Sequence, residues 1–212
     1  MIGIVMIMIG LLLSSIDINA VILAVYPEYH VIKDDPQLGE VIQRYVADNM
    51  LGDYLRLDLM SDLVGYVFMA IGVAMLIKYN KKFVGVYIPL LLTAVLYVVV
   101  RISPFIIPAD KLVVYALALS FVQLLVEILM EKKLVYSFAD ATADIPNQRD
   151  TTLMKFGWIG AALCQAFLYF IVLVGLAQWI IIVYMVVRAL FMLFCLDRMF
   201  RCRHYLGKTE RD

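Results

Sequence analysis

Apolar positions along this chain come in runs of near-membrane length, not in the alternation of strands or the short stripes of soluble helices. Six such runs stand out, at about residues 2–26, 62–79, 83–104, 111–130, 156–176 and 178–196. A hydrocarbon core of about 30 Å is crossed by about 20 helical residues. The pattern therefore predicts an all-α, polytopic membrane protein with six transmembrane helices in a single integral membrane domain. The last two runs are almost continuous. One helix over 156–196 would be about 60 Å long, twice the core. A break is expected at Gly175-Leu176-Ala177-Gln178, with Trp179 as an interfacial anchor.

Polar residues interrupt the first run at "SSIDIN". Residues 1–13 are too short to cross a bilayer, so Ser14, Ser15, Asp17 and Asn19 are expected to lie within it. A cleaved signal peptide fits less well. No basic residue precedes the apolar stretch, and Ile18 before Ala20 is a poor cleavage pattern.

Two loops break the pattern further. In the external loop, 27–61, Leu38, Val41, Ile42, Tyr45 and Val46 recur at helical spacing before Gly52. This predicts an amphipathic helix lying on the bilayer or on the bundle, with a lid or docking surface as the alternative. The loop's acidic residues have no EF-hand spacing. In the cytoplasmic loop, 131–155, Asp140 and Asp144 stand at i, i+4. They lack the further carboxylates and phosphate partner that metal-dependent lipid chemistry needs, so a solvated connector is expected.

Composition agrees with the runs. Of 212 residues, 64% are hydrophobic, against roughly 45–50% in soluble domains. Zero net charge removes the electrostatic footprint of a nucleic-acid binder. Cys164, Cys195 and Cys202 form neither a CxxC motif nor a disulfide framework, and His30 and His204 form no metal pattern. No metal or other cofactor is expected.

Charge also orients the chain. With six spans, one side carries Lys78, Lys81, Lys82, Lys132, Lys133, Arg149, Lys155, Arg198, Arg201, Arg203, Lys208 and Arg211. The other carries Lys33, Arg44, Arg56, Arg101 and Lys111. Twelve against five places both termini in the cytoplasm of a multi-pass cell-membrane protein.

Ionisable residues inside a span cost on the order of 2.5–3.5 kcal/mol at the helix centre, and they default to function. Asp17, Glu127 and Arg188 are the deep ones. Side chains lean toward the helix N-terminus. Asp17 and Arg188 therefore lean toward one level and are the expected ion pair, with Glu127 the second choice. Ser120, Gln123 and Glu127 share a face, and Gln165 is central in its span. Pro89 is expected to free the Gly85 carbonyl and kink the third span. The candidate polar membrane site is Asp17, Asn19, Gln123, Glu127, Gln165 and Arg188. The competing reading is interhelical glue at roughly 0.6 kcal/mol per hydrogen bond, aided by small-residue faces at Ser61, Gly65 and Gly72 and at Gly157 and Ala161.

Asp17, Asn19, Asp62, Gly65, Tyr66 and Gly72 together form a pattern, with Ser61 where a proline is frequent. Over the N-terminal third, it resembles small bacterial multi-pass membrane proteins of unknown function. Those have an Asp-x-Asn in the first span and a (Pro)-Asp-x-Ile-Gly-Tyr start to the second. The resemblance implies a membrane fold and no activity. Asp62 favours the positive end of the second helix. Asp62 and Tyr66 are the candidate outward-facing patch, and a plain cap with a packing contact is the alternative.

These features suit a protein that binds or transports a small solute at a mid-membrane polar site. The alternative is a non-catalytic membrane subunit that assembles with another. A catalyst is not expected, because no G-x-S-x-G, H-E-x-x-H or deep histidine is present.

Overall fold

The computed structural model describes residues 2–15, 19–24, 54–58, 62–106, 109–143, 148–174 and 178–206. Six α-helices carry the described fold: α1 (Ile2–Ser15), α2 (Asp62–Leu76), α3 (Tyr87–Ile106), α4 (Ala109–Ala141), α5 (Gln148–Val174) and α6 (Gln178–Cys202). A 3-10 helix over Lys81–Val86 leads into α3, and another over Arg203–Tyr205 follows α6. Two stretches, Lys81–Val100 and Gln148–Ile171, are long and apolar enough to cross a membrane. The Ile2–Ser14 and Asp62–Leu76 helices are apolar but shorter. The expected amphipathic helix at 38–46 lies outside the described residues.

The first apolar run does not form one helix to residue 26. It is helical to Ser15, whereas Asn19–Ala24 is a strand, β1, paired antiparallel with β2 (Tyr54–Asp58). Asn19 faces Asp58 and Ala24 faces Tyr54, with a register irregularity between Val21 and Leu23. The β-branched Val21 and Ile22 suit a strand as well as a helix. Hydropathy alone does not separate the two for a short apolar run.

The polar connector expected over 131–155 is also mostly helical. α4 continues to Ala141 and α5 begins at Gln148. At 33 residues, α4 is about 50 Å long and outruns a hydrocarbon core. Leu134, Val135, Phe138 and Ala141 are buried, while Lys132, Lys133 and Asp140 are exposed. This extension is therefore amphipathic, and a hydropathy window ends where its charges begin. Asp140 accepts from Lys82 Nζ at 2.8 Å, with Lys155 Nζ at 4.0 Å. Asp144 lies outside the described residues.

Pro89 does not interrupt a helix. It is in the first turn of α3, just after the 3-10 segment, where a missing N–H leaves no intrahelical bond unmade. Its carbonyl accepts from Thr93 Oγ1 at 2.8 Å. The break between the last two helices falls between Val174 and Gln178.

α1 packs along α2, α3 along α4, and α5 along α6 and α4, while α1 also touches α6. The α1–α2 seam depends on glycine. A Cβ at Gly10 would sit 2.5 Å from the Gly65 carbonyl oxygen, and one at Gly72 would sit 2.5 Å from that of Gly3. Gly3 and Gly10, like Gly65 and Gly72, recur at i, i+7, so both seams stay on one face. Ile4, Ile7, Leu11, Met69, Val73 and Leu76 close over them. Outward faces keep large apolar side chains exposed, including Ile88 and Leu91 on α3, Phe167 and Phe170 on α5, and Ile182 and Leu190 on α6. Cys164, Cys195 and Cys202 are buried, and none of the three is in a disulfide.

Candidate functional site

Buried polar groups gather where α2, α4, α5 and α6 meet. On α4, Glu127 and Glu131 are one turn apart and share a face. On α5, Trp158 and Gln165 lie two turns apart on another. Gln165 Nε2 donates to Glu127 Oε2 at 2.9 Å, a buried, charge-assisted contact. Close α5–α6 packing sets the remaining level. A Cβ at Gly157 would lie 3.1 Å from the Cys195 amide nitrogen, and one at Gly160 would lie 2.5 Å from the Phe191 ring. This register brings Arg188 to the level of Cys164 and Gln165, within electrostatic reach of Cys164.

Arg188 Nη2 stands 3.9 Å from Glu131 Oε1. The Glu131 side chain is fully buried and that of Arg188 is 14% exposed. The contact is ionic without being a hydrogen bond, and both partners keep open capacity. Among the described residues, neither oxygen of Glu131 has a hydrogen-bond partner, nor do Nε and Nη2 of Arg188. Gln165 Oε1 and the Tyr66 hydroxyl are unpartnered too. Trp158 Nε1 lies beside Glu131 but misses hydrogen-bond geometry. Tyr66 is 2% exposed, feels the charges of Glu127 and Glu131, and sets its ring edge-on to Tyr97 at 6.1 Å.

Such open capacity is costly. A buried polar group without a partner loses its hydration and gains nothing, at about 1–3 kcal/mol and more for charged groups. The unpartnered buried atoms of this region, among the described residues, divide into donors and acceptors. The donors are Tyr66 Oη, Trp158 Nε1 and the Arg188 guanidinium. The acceptors are both Glu131 oxygens and Gln165 Oε1.

Of the residues singled out by sequence, Glu127, Gln165 and Arg188 belong to this region, and Glu127 and Gln165 touch directly. Gln123 is half-buried one turn away on α4. Asn19 is the first residue of β1, opposite Asp58. Asp17 lies outside the described residues, so its pairing with Arg188 does too. The carboxylate that Arg188 meets among the described residues is Glu131. Asp62 and Tyr66 do not form one outward patch: Asp62 opens α2 half-buried, whereas Tyr66 is in the interior.

Glu131 and Trp158 were not anticipated. The apolar run ends at Met130, which puts Glu131 at the start of the expected loop. Its i+4 spacing from Glu127 was the available signal, once the helical period is carried past that run. Trp158 is i−7 from Gln165, but nothing in its neighbours marks it as polar-facing. Compared with known proteins, the chain matches no family model, no curated protein and no solved structure.

Proposed function

We propose that this chain is a six-span membrane protein with both termini in the cytoplasm, and that it binds or carries a small polar solute in the Tyr66–Glu127–Glu131–Trp158–Gln165–Arg188 region. The membrane part draws support from the apolar side chains exposed along the helices and from the twelve-to-five division of basic residues. Ile2–Ser15 and Asp62–Leu76, at about 21 and 22 Å, are short for a full crossing.

The solute-binding part rests on one observation, the buried Glu131–Arg188 contact with unused hydrogen-bonding atoms on both partners. Intramembrane charges that pair loosely and retain capacity mark a binding region rather than a lock. The alternative, a subunit that assembles through its small-residue faces, is weakened by what those faces touch. Gly65 and Gly72 lie against Gly10 and Gly3 of the same chain, and Gly157 lies against Cys195.

The test is a thermal-shift screen of the detergent-purified chain against small polar metabolites, repeated with Arg188→Gln. A solute present at about 100 times its Kd stabilises by about 2.7 kcal/mol. At least one should raise the melting temperature of the parent and leave the variant unmoved. A panel of amino acids, amines and carboxylates that shifts neither protein would count against the reading. Uptake into proteoliposomes then separates carriage from binding. Extraction as an obligate hetero-complex would favour the subunit alternative.

A further inference from the structure

A second feature lies between the 3-10 segment and the extension of α4, where Tyr136 stands edge-on to Trp158 of the buried region at 5.8 Å. Leu129, Lys132, Lys133, Tyr136, Ser137 and Asp140 fall at i, i+3, i+4, i+7, i+8 and i+11, one continuous stripe of α4. The stripe faces Lys81, Lys82 and Gly85 across a groove of about 470 Å³. Ser137 Oγ donates to the Lys82 carbonyl at 3.4 Å and helps hold the two walls together. Lys155 reaches the same end, over the Tyr136 ring at 4.9 Å. Five ammonium groups thus converge near one carboxylate, Asp140, which engages Lys82 and Lys155. Among the described residues, Lys81, Lys132 and Lys133 pair with no carboxylate.

The positive-inside bias requires basic residues on one side, but it does not require them to face each other across a groove. Like charges held this way repel, and an anion between them relieves the repulsion. The groove also has an apolar wall. Leu129 lines it, and Val84, Ile88 and Leu125 continue outward from it as exposed side chains. An anionic head beside the lysines and acyl chains along that wall would satisfy both halves. We propose that this groove binds an anionic phospholipid by its headgroup phosphate. The inference rests on the membrane reading but not on the buried solute region, so each can fail without the other.

Gly85 makes the groove testable apart from its charge. A Cβ there would meet nothing closer than Lys133 Nζ at 4.0 Å. Gly85→Leu should therefore fold while filling the space. The full chain in mild detergent is titrated with phosphatidylglycerol or phosphatidylcholine in mixed micelles, with binding read by native mass spectrometry and melting temperature. The parent should bind and be stabilised by the anionic lipid alone. Lys132→Gln with Lys133→Gln should weaken that binding roughly 30-fold, from about 1 kcal/mol per lysine at a membrane surface. Gly85→Leu should weaken it as well, with its melting temperature in phosphatidylcholine unchanged. Arg201→Gln with Arg203→Gln removes equal charge outside the groove lining and should leave binding intact. The proposal is overturned if the tail pair matters as much as the groove pair, or if Gly85→Leu binds like the parent. It is also overturned if glycerol phosphate, which has no acyl chain, binds as tightly as the lipid.

Discussion

The α1–α2 pair and the α4–α5–α6 interior solve helix packing in opposite ways. In the first, glycine lets two backbones touch, most neighbouring positions are filled by Ile, Leu, Met or Val, and the buried Ser14 hydroxyl is satisfied by the Leu11 carbonyl. In the second, glycines at 157 and 160 also draw helices together, but the neighbouring interior holds a carboxylate, an amide, an indole and a guanidinium with bonds left unmade among the described residues. On the proposed membrane reading, with no hydrophobic drive between helices, the first arrangement gains from dispersion. The second gives up stability at the same depth of burial. A fold that accepts that cost in one region while packing another mostly with apolar side chains separates a scaffold from a candidate site.

The contrast can be broken most severely at Arg188. Arg188→Leu leaves Glu131 buried without its cation and should cost about 3–5 kcal/mol in detergent unfolding measurements. The double variant with Glu131→Leu should regain most of that loss. Strictly additive losses would show that the two charges do not act together.

Next comes the glycine seam. Gly10→Ala forces a Cβ against the Gly65 carbonyl oxygen, which is backbone and cannot yield. About 2 kcal/mol of destabilisation is expected, while Gly85→Ala, in open space, should be nearly silent. Equal effects at the two positions would deny the close approach of α1 and α2.

Gln165→Leu comes third. It removes the donor to Glu127 and should cost about 1.5 kcal/mol, near the lower end for hydrogen bonds to charged groups. The smallest effect should be Tyr66→Phe. Its hydroxyl has no partner, so stability should change by less than about 0.5 kcal/mol or rise slightly. Solute affinity should fall all the same. A large loss of stability without any loss of binding would make Tyr66 a structural residue.

Much of this was legible in the residues. Gly65 and Gly72 at i, i+7 announced a packing face, and Gly157 with Ala161 announced another. The break after Val174 followed from length alone. Glu127, Gln165 and Arg188 stood out because polar groups are expensive where they lie. Their companions were harder to read. Glu131 sits just past the end of an apolar run, where a carboxylate looks like ordinary surface. That α4 carries its buried stripe another ten residues to Ala141 depends on neighbours from other helices, which no hydropathy window contains.

By itself, then, the sequence determined a predominantly helical architecture with apolar helices, the approximate location of several of them and a short set of costly interior residues. Those properties follow from local periodicity and from the transfer energies of single side chains. Tertiary structure alone decided that β1 pairs with β2, that Gly3 and Gly10 complete the Gly65–Gly72 seam, and that Arg188 faces Glu131 while Gln165 faces Glu127. These outcomes depend on the register between helices distant in sequence, and that register is set by which side chains interlock when the whole bundle closes.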